Sequence, residues 1–318
     1  GNLCRYLLKK DFVLYSDHRQ VEPIVENNKN KEDYFFVSYR PIFNLIPFKS
    51  HNKMKYRVMY VLLSFLSPKY ILQINWISTE SSLIKLWTKK HPGTRSIVIQ
   101  HGAYIGGIVT DVPHRYTNCD VFLTWGEYFT QMFREYNKGK SVTILSFGNP
   151  VYNYYNRDNF KYTSDKTDKI LLAPSGIKGE RLQKLLHLHD QLIDLGFDVV
   201  LKEHNFQSRK FAKIEGVQKI TGSAYDVLQN KEFDLVITDQ GSFLLDAIFF
   251  KNKVIFFSGK GELDAYTKNN YTFFLDNLCD HLQEIKSKDD LHEFVNIKRQ
   301  ENLFEDMITL SSNELPNL

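Results

Sequence analysis

Apolar residues along this chain fall into two rhythms: short unbroken runs, and longer stretches with apolar positions three and four apart. In the first half, runs at 12–15, 34–37, 70–74, 96–99, 121–124 and 142–145 predict strands. Ser78, Thr79, Glu80 and Ser81 open a predicted helix over 81–90, which His91, Pro92 and Gly93 close. A second helix is predicted over 127–137, and the half ends at Gly148-Asn149-Pro150, read as a hinge. The second half repeats the rhythm, with strands at 169–173, 198–201, 235–237 and 253–257. Helices are predicted over 179–195 and 224–230, from Ser242 onward, and through a polar tail at 289–310. Residues 152–166, rich in Tyr, Asn and Lys, read as a linker.

Strands alternating with helices of this length imply parallel sheets joined by right-handed crossovers. The fold class is therefore α/β, with two Rossmann-like doubly wound domains facing a cleft. The predicted boundaries are 1–150 and 151–318, with the final helix packing back toward the hinge. A length of 318 residues at 42% hydrophobic content is enough for two cores.

Three scattered cysteines (Cys4, Cys119, Cys279), with no CxxC and no His at ligand spacing, argue against a disulfide framework and a structural zinc site. They suit a reducing, cytoplasmic setting. No GxGxxG follows a strand and no GxxxxGK[ST] or HExxH occurs, which argues against a dehydrogenase, a P-loop NTPase and a zinc protease. No metal and no cofactor are expected.

Charge is divided unevenly. Residues 1–150 hold 20 Lys and Arg against 11 Asp and Glu, whereas 151–318 hold 21 against 26. No acidic residue lies between Asp33 and Glu80, while Arg40, Lys49, Lys53, Lys55, Arg57 and Lys69 are interleaved with Phe43, Phe48, Tyr56, Tyr60 and Phe65. That mixture suits either a core helix with a solvated basic face or an anionic membrane surface, giving peripheral attachment at the inner face of the plasma membrane. The uncharged run at 58–67 is far shorter than the roughly 20 residues needed to cross a bilayer. No RNA-binding signature accompanies the patch, so nucleic acid is not an expected partner.

Candidate chemistry collects after strands. His101 follows the strand at 96–99 and precedes Gly102, Tyr104, Gly106 and Gly107, an acceptor-side loop in which glycines let a substrate approach the backbone. Imidazole titrates near neutrality, which suits a general base. A buried structural His fits the same tripeptide, and His114, Asp111 and Glu127 are alternatives. In the second half, three loops reach one sheet edge if their strands are adjacent and parallel: Pro174-Ser175-Gly176, Lys202-Glu203-His204 and Thr238-Asp239-Gln240-Gly241-Ser242, the last followed by Asp246. Their hydroxyls, backbone donors, imidazole and lysine suit a pyrophosphate and ribose. The glycine–serine turn also opens a helix, whose positive end favours phosphate.

The order His-Gly (101–102), Lys-x-His (202–204), Ala-Tyr-Asp-Val-Leu (224–228), Asp-Leu-Val-Ile-Thr-Asp (234–239), Asp246-Ala247 and Lys-Val-Ile-Phe-Phe (253–257) resembles the glycosyltransferase-B (GT-B) superfamily. Within it, the chain is similar to the CDP-glycerol glycerophosphotransferase family of teichoic-acid and capsule synthesis, as is Asp264-x-Tyr266. The resemblance covers roughly 95–275, and 234–257 is its most specific block. It implies that His101 is the catalytic base and that Thr238, Asp239, Ser242 and His204 hold the donor's phosphates. The chain departs from that family at Gln240-Gly241, where Tyr-Ser is usual, and at Asn205, where Pro is usual. Gly106-Gly107-Ile108 stands where a Lys is usual, and loss of that cation makes an ordinary nucleotide sugar an alternative to a CDP-polyol donor.

The expected function is a glycosyltransferase that moves a sugar from a nucleotide-sugar donor to a bacterial surface-polysaccharide acceptor, glycan or lipid-linked. A CDP-glycerol or CDP-ribitol polyol-phosphate transferase, a sugar-nucleotide 2-epimerase and a non-catalytic nucleotide-binding module are the alternatives.

Overall fold

Among the described residues every strand pairing is parallel, so each strand return is made by chain crossing a sheet face. The computed structural model describes residues 11–15, 21–28, 34–39, 52–74, 79–103, 118–162, 168–174, 179–203, 214–230, 232–239, 241–257, 278 and 281–309. They fall into two compact units: up to His101 with 118–155 and 306–309, and 102–103 with 156–305.

The first unit runs β1 (Asp11–Tyr15), α1 (Glu22–Asn28), β2 (Tyr34–Ser38), α2 (Asn52–Leu66), β3 (Tyr70–Gln73), α3 (Thr79–Thr88), β4 (Arg95–Ile99), β5 (Val121–Thr124), α4 (Glu127–Tyr136) and β6 (Thr143–Ser146). Its sheet order is β2-β1-β3-β4-β5-β6. Alternate residues serve opposite faces, as strand geometry requires. Leu72, Ile97, Ile99 and Leu123 pack with Ile24 and Val25 of α1 on one face. Leu14 and Ile71 pack with Met59 and Leu63 of α2 and Ile84 and Trp87 of α3 on the other.

The second unit runs β7 (Lys169–Ala173), α5 (Gly179–Asp194), β8 (Asp198–Lys202), β9 (Lys219–Ile220), α6 (Ala224–Gln229), β10 (Leu235–Thr238), α7 (Ser242–Phe249), β11 (Lys253–Phe256), α8 (Lys288–Glu293) and α9 (Ile297–Met307). Its order is β11-β10-β7-β8-β9. Ile170, Leu172, Leu201, Ile237 and Ile255 meet Leu185, Leu188 and Leu192 of α5 on one face. This double-sided burial explains why the strands read as unbroken apolar runs.

Four elements differ from the expectation. Helix α1 was not predicted: its buried Ile24, Val25 and Asn28 keep helical spacing over only seven residues. Strand β9 has two residues, too few to leave a period. The 152–166 stretch contains two short 3₁₀ turns, Pro150–Tyr154 and Arg157–Asn159, each capped by an asparagine. Asn149 Oδ1 accepts from the Val151 N–H at 3.1 Å and Asn156 Oδ1 from Asp158 at 3.0 Å, so the asparagines order the backbone there. The tail is two helices, because Ser287 and Asp290 form a capping box that starts α8 and Asn296 Oδ1 accepts from the Arg299 N–H at 3.0 Å to restart the chain as α9.

Beyond α9 the chain adds to the first unit. The Thr309 N–H donates to the Trp125 carbonyl at 2.8 Å, and a Cβ on Gly126 would lie 2.1 Å from the Met307 carbonyl oxygen. Only glycine permits that approach.

Candidate functional site

In the second unit the chain builds β7, β8 and β9 in one direction, then returns to add β10 and β11 on the other side of β7. The order reverses between β7 and β10, and open α/β sheets bind ligands outside the carboxyl ends at such a switch point. Buried Thr238 closes that point, its hydroxyl donating to the Ala173 carbonyl at 2.7 Å. Asp239 follows, also buried. Gly241 then takes φ +147°, a conformation that favours glycine, and opens α7 with no side-chain cap. Half-buried Ser242 is the first helical residue. The first turn of α7 thus presents backbone N–H groups and the positive helix end at the switch point.

Asp246 lies buried one turn into α7. Lys202 and Glu203 end β8, beside β7 on the same carboxyl edge. The Lys202 ammonium donates to the Glu203 carbonyl at 2.9 Å and to the Gly222 carbonyl at 2.8 Å. Burial pushes its pKa below the ordinary lysine value, against the opposing pull of the Glu203 charge. Two of its three donors thus serve the protein's own backbone. Ser175, Gly176, His204 and Gln240 lie outside the described residues.

In the first unit the order reverses between β1 and β3, and His101 follows β4, the neighbour of β3. Buried Gln100 locks the end of β4 to β5. Its N–H donates to the Leu123 carbonyl at 2.9 Å, and its Oε1 accepts from the Trp125 N–H at 2.9 Å. Its carbonyl accepts from the Trp125 indole Nε1 at 2.7 Å. From that anchored strand end, half-buried His101 directs Nδ1 at the Ile74 carbonyl just past β3, 2.7 Å away. A carbonyl only accepts, so Nδ1 carries the hydrogen, and in the neutral ring the basic lone pair sits on Nε2. A neutral ring in this tautomer accepts a proton at Nε2.

Gly102 is half-buried, and Tyr104, Gly106, Gly107, Asp111 and His114 lie outside the described residues, as does Asp264-x-Tyr266. Glu127 points along α4 toward Arg134, 3.7 Å away, and the Gln131 amide, 3.4 Å away. Ile74, Gln100 and Trp125, which position the imidazole, were not anticipated. A polar Gln ending an apolar strand was the only local signal. Among the described residues no group of three His, Cys, Asp or Glu is placed to hold a metal ion.

No protein-family model matches the sequence, and no curated protein matches it either. Solved structures do resemble the fold. A variant of the wall teichoic acid polymerase TagF, soaked with CDPG, is 16% identical and aligns with TM-score 0.54 over 96% of this chain and 85% of its own. A putative UDP-N-acetylglucosamine 2-epimerase from Listeria monocytogenes is 14% identical, with TM-score 0.51 over 92% of this chain and 94% of its own. The UDP-GlcNAc 2-epimerase from Neisseria meningitidis, bound to UDP-GlcNAc, is 11% identical, with TM-score 0.50 over 93% of this chain and 99% of its own. The described residues form two parallel-sheet α/β units, of six and five strands, and this is the GT-B fold.

Proposed function

We propose that this GT-B-fold chain is a glycosyltransferase that moves a sugar from a nucleotide-sugar donor to a hydroxyl of a bacterial surface-polysaccharide acceptor. The observation that carries this reading is the His101 Nδ1 contact with the Ile74 carbonyl, which leaves the basic lone pair on Nε2. In the proposed reaction the acceptor oxygen attacks the anomeric carbon, the bond to the diphosphate oxygen breaks, and the hydroxyl proton passes to His101 Nε2. The nucleoside diphosphate leaves with the electron pair, and the anomeric centre inverts.

The donor's phosphates are assigned to the second unit: the first-turn amides of α7 at Gly241 and Ser242, with Ser175, Gly176 and His204 from the neighbouring loops. Fixed backbone dipoles there favour negative charge without reorganising during the reaction. Thr238 and Asp239 shape the switch point from beneath, since both are buried. Lys202 is assigned a framework role, because its ammonium is held by carbonyls.

Two alternatives share the fold. Similarity to a TagF structure soaked with CDPG supports a CDP-polyol donor, and similarity to UDP-GlcNAc 2-epimerases supports an acceptor-free reaction. Departures at Gln240-Gly241 and Gly106-Gly107-Ile108 weigh against the polyol donor. Incubation with UDP-, GDP- and CDP-sugars and CDP-polyols, with and without acceptor glycan, distinguishes the three. Acceptor-dependent consumption of one nucleotide sugar is expected. Consumption of a CDP-polyol alone, or epimerisation without acceptor, would replace this assignment.

A further inference from the structure

Helix α2 is apolar on two sides. Met59 and Leu63 fill the core, and Tyr60, Val61 and Phe65 form a second stripe, with Val61 and Phe65 four apart. That stripe faces outward: Phe65 is 84% exposed, Val61 67% and Tyr60 40%. Helix α3 lies alongside, tied on by the Trp87 indole donating to the Ser64 hydroxyl at 3.1 Å, and adds Leu86, 61% exposed. An apolar surface left open on adjacent helices marks an interaction site.

The surroundings indicate what covers it. Exposed Arg57, Lys69, Lys89 and Lys90 border the apolar residues. Every charged side chain described on α2, on α3 and on the turns that follow them is basic, and Lys85, the fifth, is already paired with Asp120. Aromatic and aliphatic residues within a cationic rim match an anionic bilayer surface, where rings enter the headgroup layer and ammonium groups meet lipid phosphates. At 15 residues α2 is about 22 Å long, and no described helix is long and apolar enough to cross a membrane.

We propose that the outward faces of α2 and α3 form a docking surface for an anionic lipid bilayer, with Val61, Phe65 and Leu86 inserted and the basic rim on the headgroups. This goes beyond the transfer reaction, and its test needs no substrate. Sedimentation with vesicles of phosphatidylcholine and phosphatidylglycerol should carry the protein down, vesicles of phosphatidylcholine alone should not, and high salt should release it. Phe65→Ser should lower partitioning about ten-fold or more. Lys89→Gln and Lys90→Gln should each lower it about five-fold. Tyr154→Ser removes an exposed aromatic outside the patch and should change nothing. All four positions are exposed, so thermal unfolding should stay as in the parent and separate lost binding from lost folding. The proposal is overturned if anionic vesicles do not bind, or if Phe65→Ser binds like the parent. It is also overturned if the protein ignores vesicles and forms a dimer that Phe65→Ser dissolves, since a second copy would then cover the face.

Discussion

The carboxyl edge of the N-terminal sheet offers a titratable ring held in one tautomer, while the carboxyl edge of the C-terminal sheet offers a hydroxyl, a positive-φ glycine and an uncapped helix start. The opposite edges are built alike. Asp120, one residue before β5, accepts at Oδ2 from the Ser96 N–H at 2.8 Å, and Asp234, one residue before β10, accepts at Oδ2 from the Lys169 N–H at 3.0 Å. Each carboxylate thus clasps the adjoining strand. Parts that hold a sheet together recur in both halves, whereas parts suited to chemistry do not. Under the proposed transfer, the unlike carboxyl edges take unlike tasks, the first unit's edge activating a nucleophile and the second's stabilising a leaving group.

The sharpest way to break that contrast is to remove the ring. His101→Ala should lower turnover about 10²–10⁴-fold while nucleotide affinity, measured calorimetrically, stays near the parent value. Loss of both together would make the two edges functionally alike.

The amino-edge clasps come next. Asp120 also accepts from the Ser96 hydroxyl at 2.9 Å and pairs with Lys85. Burial alone would push its carboxyl up, but the Lys85 ammonium and the Ser96 N–H and hydroxyl outweigh this and hold it below the usual carboxylate value. A depressed folded pKa contributes stability in full above the unfolded value, about 3.9, and the contribution fades as pH falls through the folded value. Asp120→Asn should therefore cost about 2–3 kcal/mol at neutral pH and progressively less below about pH 4, read from urea unfolding across pH. Asp234, which accepts from the Asp168 and Lys169 N–H groups at 3.0 Å each, should cost about 1–2 kcal/mol as Asn.

Smaller effects separate framework from site on the C-terminal edge. Gly241→Ala must carry a Cβ at φ +147° and should weaken nucleotide binding about ten-fold. Lys202→Met should leave nucleotide affinity within about two-fold and lower stability by about 1–3 kcal/mol, because two carbonyls lose their donor. A large affinity loss in Lys202→Met would return its ammonium to the donor site.

Most strands were legible because burial on both faces leaves short unbroken apolar runs bounded by turn residues: the 121–124 and 169–173 runs coincide with β5 and β7. What escaped was either too short for a period, as in α1 and β9, or decided by caps, as in the division between α8 and α9. The candidate site was legible as residue types at strand ends. The imidazole's tautomer was not, because its partner carbonyl belongs to Ile74, 27 residues earlier. Nor was the turn of Lys202 toward Gly222, 20 residues on, since a lysine after a strand reads the same whether its ammonium meets a phosphate or a carbonyl.

Hydrogen–deuterium exchange with and without UDP, CDP or GDP tests this division of labour between the edges. Nucleotide should slow exchange at the Gly241 and Ser242 amides and at the carboxyl ends of β7 and β10, leaving Gln100 and His101 unchanged. Protection confined to the ends of β3 and β4, with none at the start of α7, would contradict it.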